Sequence, residues 1–305
     1  MKILIISDYR EWAFGHVSRS IKKFNQNDSA DISIIYLNEN GIEIAKKIWK
    51  EYDIIFVFGW YLYQHFDFIP KNKVIVGIMS FCKWDYGLSK ETKISPPTTQ
   101  TIEYLKGFAR ICVISQRLLK VFSQYDLPDI YYTPNGIDCN MFFPKQDMPD
   151  NFKAGTVARY YRWKLKRIDN IFIPSTKKAQ VDHKILSGGN DILSYDQMPD
   201  FYNDISCYIC TSRSEGFSTS CLEAAACGRP IISTDVGGTE ELIISEVTGI
   251  IADVSVESFS SKISLLKNDI EKCKMMGDNA RKHVINNYSW EKVVPKWMSF
   301  LMGKK

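Results

Sequence analysis

The sequence predicts an α/β protein with two domains in series, each built on a doubly wound parallel sheet. Short apolar runs alternate with longer amphipathic runs, which is typical of βαβ units. This alternation stops at the polar stretch 145–153 and then starts again, as expected at a domain boundary. The chain has 305 residues, which is enough for two domains of ordinary size with a core in each.

Short apolar runs mark the predicted strands, because a strand that is covered on both faces is apolar along its length. The first run, residues 2–7, is far too short for a signal-peptide core or a membrane span. The sequence therefore predicts a cytoplasmic protein, with peripheral contact at the inner membrane face as an alternative. The other predicted strands are 32–36, 53–58, 74–79, 111–114, 130–132, 154–158, 184–189, 206–211, 230–233 and 249–251.

Helical periodicity predicts the connections between these strands. Helical signals dominate from residue 256 to the end, and Pro295 is expected to interrupt the last helix, 290–301. The basic segment 159–167 is assigned to a loop. The other predicted helices are 17–24, 42–49, 102–108, 116–125, 198–203, 222–227 and one that starts near residue 239.

Composition excludes several classes of protein. The net charge is +4, with 45% hydrophobic and 24% charged residues, which is ordinary for a globular chain and too weakly basic to announce a nucleic-acid-binding domain. Cys207 and Cys210 have the spacing of a metal-binding pair. They lie in a predicted strand, however, where residues three apart point to opposite faces and cannot share a metal. We expect the cysteines to be small buried thiols.

The segment 214–230 carries the most informative pattern in the chain. Glu215 and Glu223 bracket a turn and the first turn of a helix that follows a strand. Free backbone N–H groups at such a helix start bind anions. Carboxylates would repel a phosphate but can accept hydrogen bonds from hydroxyl groups. An anion together with several hydroxyls indicates a sugar nucleotide.

Three ordered motifs resemble those of retaining GT-B glycosyltransferases of family 4, also called glycosyl transferases group 1. They are the donor-site signature 214–243, the interdomain segment 135–144 and the start of the C-terminal helix, 288–290. The resemblance implies two Rossmann-like domains that face each other across a cleft, with the C-terminal helix crossing back to the first domain. The implied bounds are 1–145 for the acceptor side, 146–288 for the donor side and 289–305 for the helix.

The resemblance also implies roles for residues of the second domain. Glu215, Arg159 and Lys166 are the implied catalytic residues, with Lys164 as the alternative to Lys166 in binding the diphosphate. Two cations on a leaving diphosphate would stabilise the charge that builds up as the glycosidic bond breaks. Arg162, Lys164 and Arg167 are otherwise interpreted as surface or acceptor-side charges. The implied donor-binding residues are Gly216, Phe217, Ser218, Thr219, Ser220 and Glu223.

In the first domain the glycine-rich loop of many relatives is reduced to Gly15 and His16, with Gly15 on the donor side. Many relatives place a histidine after their fourth strand, and this chain has Trp84 and Asp85 in that region. His16 either takes the missing polar role or is a surface histidine without function. Trp12, His16, Trp84 and Asp85 are therefore the candidate acceptor-side residues.

The implied activity is transfer of a sugar from a nucleotide-diphosphate sugar, most simply a UDP-sugar, to a hydroxyl of a glycan or glycolipid with retained configuration. No cofactor is implied, and no Asp-x-Asp pair occurs, so a metal-independent reaction is expected. One alternative acceptor is a hydroxymethylated base of phage DNA. A non-catalytic nucleotide-sugar-binding protein is a further alternative. The nucleotide, the sugar, the linkage and the oligomeric state are left open.

Overall fold

A computed structural model describes residues 1–80, 96–187 and 193–304 of the chain. These residues form two compact units. The first comprises Met1–Gly136 together with the residues from Trp290 onwards, and the second comprises Ile137–Ser289.

The first unit contains a six-stranded parallel sheet with the order β2-β1-β3-β4-β5-β6. Each predicted strand of this half of the chain is present, so the prediction of a doubly wound sheet is confirmed. The strands are β1 Lys2–Ser7, β2 Asp31–Tyr36, β3 Ile54–Val57, β4 Val74–Ile78, β5 Arg110–Val113 and β6 Ile130–Tyr132. The helices between them are α1 Ala13–Phe24, α2 Gly41–Ile48, α3 Thr99–Lys106 and α4 Gln116–Phe122.

The second unit contains a five-stranded parallel sheet with the order β11-β10-β9-β7-β8. Its strands are β7 Lys153–Val157, β8 Asp182–Leu186, β9 Cys207–Cys210, β10 Ile231–Ser233 and β11 Gly249–Ile251. Its helices are α5 Trp163–Lys166, α6 Ile173–Lys178, α7 Met198–Asn203, α8 Thr219–Ala226, α9 Thr239–Leu242, α10 Val256–Asn268 and α11 Ile270–Tyr288.

The connection between β7 and β8 is helical, whereas the sequence predicted a loop for its basic part. A π-helical stretch, Ile168–Phe172, joins α5 to α6. Ile168 and Phe172 are fully buried in the core of the second unit. The basic residues obscured this helix, because they interrupt the apolar periodicity by which a helix is recognised.

In each sheet there is one point at which the chain stops adding strands on one side of the first strand and starts adding them on the other side. In the second unit β7 lies between β8 and β9, so the chain leaves β7 to one side and later returns to its other side. In open α/β sheets, ligands bind outside the carboxyl ends of the strands at such a switch point. The loops that follow β7 and β9 therefore meet at the expected ligand-binding edge of the second unit.

The division between the units comes earlier than the boundary expected at residue 145. The backbone N–H of Ile137 donates to the carbonyl of Tyr288 at 2.9 Å, and the N–H of Lys145 donates to Asn203 Oδ1 at 2.8 Å. These bonds attach the segment 137–145 to the second unit. Turn-rich composition identified the region but could not show which partner its backbone groups would find.

The last helix, α12 Trp290–Met302, belongs to the first unit, as the resemblance implied. Trp297 is fully buried, and its indole N–H donates to the carbonyl of Pro134 at 2.9 Å. The helix continues through Pro295, where an interruption was predicted. A proline inside a helix costs roughly 3 kcal/mol, and burial of Trp297 and Phe300 against the sheet offsets that cost.

The cysteines of the described residues are free thiols, and all except the half-buried Cys139 are buried. Cys207 and Cys210 both lie within β9, as predicted, and are 0% and 2% exposed. They contribute to packing in the second unit.

Candidate active site

A largely buried ion pair lies at the edge of the second sheet where a ligand is expected. Lys166 Nζ is 2.7 Å from Glu215 Oε1, and the two side chains are only 14% and 17% exposed. The hydroxyl of Ser212 donates to the same carboxylate oxygen at 2.7 Å. Lys166 ends the helical turn after β7, and Glu215 follows β9. The switch point of the sheet thus brings together two residues that are 49 positions apart in the sequence.

Both members of this pair are charged at neutral pH. Burial lowers the pKa of the Lys166 ammonium, but Glu215, with smaller contributions from Tyr208 and Cys210, outweighs burial and holds the pKa above its ordinary value. Burial likewise raises the pKa of the Glu215 carboxyl, but the Lys166 charge and the hydrogen bonds from Lys166 and Ser212 outweigh it, so the pKa is lowered. The site therefore presents a carboxylate and an ammonium in fixed positions.

Backbone contacts hold the loops of this pair together. The N–H of Arg213 donates to the carbonyl of Leu165 at 2.9 Å. The hydroxyl of Thr211 donates to the carbonyl of Lys166. The segment before Glu215 is therefore hydrogen-bonded to the peptide groups immediately before and after the Lys166 Cα atom.

Arg167 is part of this attachment, and its interpretation as a surface charge was wrong. It is 6% exposed, and its Nη1 donates to the carbonyls of Thr211 at 3.1 Å and Ser212 at 2.8 Å. Burial, followed by the nearby charge of Arg213, lowers the pKa of Arg167 to about 10. Its φ of +50° lies in the left-handed region that favours glycine.

The other cations of the basic segment are exposed. Arg159 lies two residues after the end of β7, and Lys164 lies on the outer side of α5. Burial raises the pKa of Tyr161, but hydrogen bonds from Arg162 and Arg159 outweigh it and lower the pKa. Lys166, and not Lys164, is the lysine in contact with Glu215.

A helix cap and an aromatic contact hold the turn between Glu215 and α8. Ser218 caps the helix and accepts a hydrogen bond from the N–H of Cys221 at 3.4 Å. Phe217 is 5% exposed and packs on Tyr288 with ring centroids 5.3 Å apart. The helix begins at Thr219, earlier than the predicted start at residue 222, so Thr219 and Ser220 form its first turn.

The glycine pair Gly237–Gly238 allows this turn to pack closely. Gly237 has a φ of +53°, and a Cβ atom there would lie 2.5 Å from the carbonyl oxygen of Glu215. A Cβ atom on Gly238 would lie 2.3 Å from the ring of Phe217. The N–H of Gly238 donates to the carbonyl of Gly216 at 3.0 Å. The pair Gly237–Gly238 thus supports the turn that follows Glu215.

Glu223 lies on the buried face of α8 and is 7% exposed. The phenol of Tyr202 donates to its Oε2 at 2.6 Å. Burial raises the pKa of Glu223 to about 7, although the bond from Tyr202 and the charge of Lys166 partly oppose that rise. Sequence reasoning missed Tyr202 and Ser212, because no local pattern distinguishes a hydroxyl that reaches a carboxylate from one that does not.

In the first unit, Gly15 and His16 lie inside α1 and not in a loop after β1, which corrects their predicted setting. A Cβ atom on Gly15 would lie 2.2 Å from the carbonyl oxygen of Arg10, so glycine allows the preceding loop to fold back. Burial, then the charge of Arg19, lowers the pKa of His16. Trp12 is 38% exposed and stacks on Tyr9 at 4.1 Å.

Trp84 and Asp85, the two remaining acceptor-side candidates, lie outside the described residues. Residues 1–80, 96–187 and 193–304 contain no cluster of three or more His, Cys, Asp or Glu side chains that could hold a metal ion. In the same part of the chain, no helix combines the length and the apolarity that a membrane crossing requires.

Comparison with known proteins gives a family match within the second unit. Residues 177–283 match the family model of glycosyl transferases group 1. An uncharacterized glycosyltransferase of Methanocaldococcus jannaschii is 33% identical over 150 residues, an alignment that covers 49% of this chain and 39% of the relative. The chain thus spans less than half the length of that relative. These matches support a glycosyltransferase.

Solved structures share the fold over almost the whole chain. Sucrose-phosphate synthase from Thermosynechococcus elongatus has a TM-score of 0.77 at 14% identity, with 99% of this chain and 98% of that chain covered. Anabaena HepE, solved with UDP and glucose, has a TM-score of 0.72 at 16% identity, with 99% and 100% covered. The two-domain α/β fold of the GT-B type is therefore confirmed.

Proposed function

We propose that this protein transfers a sugar from a nucleotide-diphosphate sugar to a hydroxyl group of a glycan or glycolipid, with retained anomeric configuration and without a metal ion. The observation that carries the proposal is the buried contact of Lys166 with Glu215 at the switch point of the second sheet. The family match of residues 177–283 and the UDP and glucose bound by HepE support a nucleotide-sugar donor.

Glu215 and Lys166 divide the work of binding the donor. An ammonium group has three N–H donors, so Lys166 can hold Glu215 and still donate to a phosphate oxygen. Glu215 keeps accepting positions on its carboxylate for the hydroxyls of the donor sugar. Arg159, exposed at the end of β7, supplies the second cation for the diphosphate. Negative charge grows on the leaving phosphate during transfer, and fixed cations stabilise that charge.

The start of α8 supplies neutral donors for the same diphosphate. The N–H groups of Gly216 to Ser220 lie in the turn before α8 and in the first turn of the helix, where the helix dipole favours an anion. Glu223 is the proposed acceptor for the ribose hydroxyls. It must release its proton or shift its bond from Tyr202 to accept both hydroxyls, which makes donor binding dependent on pH.

Retention follows if the acceptor hydroxyl attacks from the face that the diphosphate leaves. The leaving phosphate oxygen then takes the proton of the acceptor hydroxyl. No separate protein base is required, which agrees with the engagement of Glu215 by Lys166 and Ser212. An NMR spectrum of the first-formed product should show the anomeric configuration of the donor. An inverted product would contradict this part of the proposal.

The test begins with a thermal-shift screen of UDP- and GDP-sugars, since a ligand of the native state raises its melting temperature. The donor that binds is then used in a transfer assay with glycan and glycolipid acceptors. Glu215→Gln and Lys166→Ala should each lower kcat about 10²–10³-fold, as loss of a preorganised electrostatic contact does.

Glu257→Gln and Lys178→Ala are the matched controls. Their 2.8 Å ion pair lies in the same unit, but Lys178 is 53% and Glu257 is 71% exposed, so both variants should keep full activity. Unchanged turnover in the Glu215 and Lys166 variants would refute the proposed site. Donor binding without turnover for any acceptor would favour the alternative of a non-catalytic binding protein. The alternative acceptor, a hydroxymethylated DNA base, stays a prediction, and salt-sensitive binding to duplex DNA would favour it.

A further inference from the structure

The two loops of the Lys166–Glu215 pair are joined by an arginine in an unusual backbone conformation. Arg167 has φ +50° and ψ +38°, a region that L-residues with side chains rarely adopt. Glycine would occupy this position without strain. The sequence instead has a large cation that is 6% exposed. Such a residue persists only where its surroundings hold it in place.

The guanidinium of Arg167 is held by the loop that carries Glu215. Its Nη1 donates to the carbonyls of Thr211, at 3.1 Å, and Ser212, at 2.8 Å. Ser212 in turn donates its hydroxyl to Glu215 Oε1 at 2.7 Å. One side chain therefore connects the residue after Lys166 to the residue that orients Glu215.

The same conformation also fixes Lys166. Arg167 caps the C-terminal end of α5, and its N–H donates to the carbonyl of Lys164 at 3.4 Å. The left-handed turn directs the chain from α5 into the π-helical stretch that begins at the buried Ile168. The carbonyl of Lys166 meanwhile accepts the hydroxyl of Thr211. The position of the Lys166 Cα atom is therefore set from both sides of the turn.

We propose that Arg167 is a positioning residue that holds Lys166 and Glu215 in register, an inference that rests on the proposed function of this pair. Arg167 reaches neither the donor nor the acceptor in this role. Its guanidinium connects the loop after β7 to the loop after β9 by hydrogen bonds. Its left-handed backbone conformation sets the orientation of Lys166, the residue before it. Glycine here would relax the backbone but leave the two loops connected by fewer bonds.

Arg167→Gly tests the guanidinium separately from the backbone, because glycine adopts the left-handed conformation freely. Gln180→Gly is the matched control. Gln180 is an exposed residue of the same unit with a φ of +52°, so its replacement relieves the same backbone strain without removing a buried cation. The control should keep the activity of the unaltered protein.

The first readout needs no donor. A ¹³C NMR titration of protein labelled at the glutamate carboxyl carbons reports the pKa of Glu215. In Arg167→Gly the contact with Lys166 should loosen, and the pKa of Glu215 should rise by about one unit, since an opposite charge in contact lowers a carboxyl pKa by roughly that amount or more. The Gln180→Gly titration should match that of the unaltered protein.

The second readout is transfer. Arg167→Gly should lower kcat about 100-fold, the loss expected for a misplacement near 1 Å, with a smaller change in donor KM. Added guanidinium ion should restore part of the rate to Arg167→Gly and none to Lys166→Ala. If Arg167→Gly does not fold, Arg167→Gln, which keeps one N–H donor group, should show smaller changes in the same directions.

The outcomes separate the two proposals. A lower melting temperature with unchanged kcat and an unchanged Glu215 titration would mean that Arg167 only stabilises the fold, and the inference would be overturned. Arg167→Gln that equals the unaltered protein in both readouts would also overturn it. If the unaltered protein transfers no sugar from any donor, the proposed function fails, and the Glu215 titration alone decides the role of Arg167.

Discussion

Replacement of Glu223 by glutamine should make the protein more stable at alkaline pH while weakening its binding of the donor. Glu223 is 7% exposed, and burial raises its pKa from 4.5 to about 7. In the unfolded chain the carboxyl loses its proton from pH 4.5 upwards, whereas in the folded protein it keeps the proton up to about pH 7. The free energy of unfolding therefore falls as the pH rises through this window.

The magnitude follows from the separation of the two pKa values. Each unit corresponds to 1.36 kcal/mol, so this carboxyl costs about 3 kcal/mol of stability once the pH exceeds 7. Glutamine carries no charge at any pH, and its carbonyl oxygen can accept the hydrogen bond from Tyr202. The Glu223→Gln variant should therefore match the unaltered protein near pH 4.5 and exceed it by about 3 kcal/mol at pH 8.

Urea unfolding at a series of pH values, with and without donor, measures both effects. The gain in stability should grow steadily between pH 5 and pH 7 and then level off. At pH 8 the variant should bind the donor more weakly, because a neutral amide is a poorer acceptor for ribose hydroxyls than a carboxylate. A stability difference that does not change with pH would refute the assigned burial of a protonated carboxyl. Unchanged donor affinity at pH 8 would refute the ribose contact.

Three further predictions concern the packing that supports the site. Glu215→Gln should destabilise the protein by about 1–3 kcal/mol, less than for a fully buried pair because Lys166 is 14% exposed and can partly rehydrate, while Glu257→Gln should leave urea unfolding unchanged. Gly237→Ala should cost roughly 1–3 kcal/mol and lower kcat, because its φ of +53° disfavours alanine and the new Cβ would press on the carbonyl of Glu215; a variant with normal stability and turnover would contradict the close packing. Trp297→Ala should destabilise the first unit by about 3–5 kcal/mol, because the indole is fully buried and donates to Pro134. Limited proteolysis of the Trp297→Ala variant should therefore cleave the first unit faster than the second. Equal cleavage of both units would argue against α12 stabilising only the first unit.

The regular elements of this protein follow from local patterns in the sequence. Period and composition identify strands such as β1 and β9 because burial on both faces of a parallel sheet demands continuous apolar runs. The segment 214–230 can likewise be interpreted from its local pattern. A strand, a small hydroxyl-rich turn and a helix follow each other within it, so an anion site with flanking carboxylates can be inferred without knowing the rest of the fold.

Contacts between distant segments required the tertiary structure. The choice of Lys166 over Lys164 depends on which side of a short helix faces Glu215, 49 residues away from Lys166. Arg167 could not be distinguished from its basic neighbours, because its partners are backbone carbonyls, and any residue would provide those. The same holds for Tyr202, whose phenol reaches Glu223 only because α7 packs near α8.

The sequence by itself determined the order of the strands along the chain, the fold class and the two carboxylates of the segment 214–230. These depend on side-chain type and spacing along the chain, which are local properties. The tertiary structure decided which lysine meets which glutamate, where the chain divides into units, and that a left-handed arginine joins the two loops. All three features depend on which backbone groups and charges burial brings together. A local sequence pattern does not contain that information.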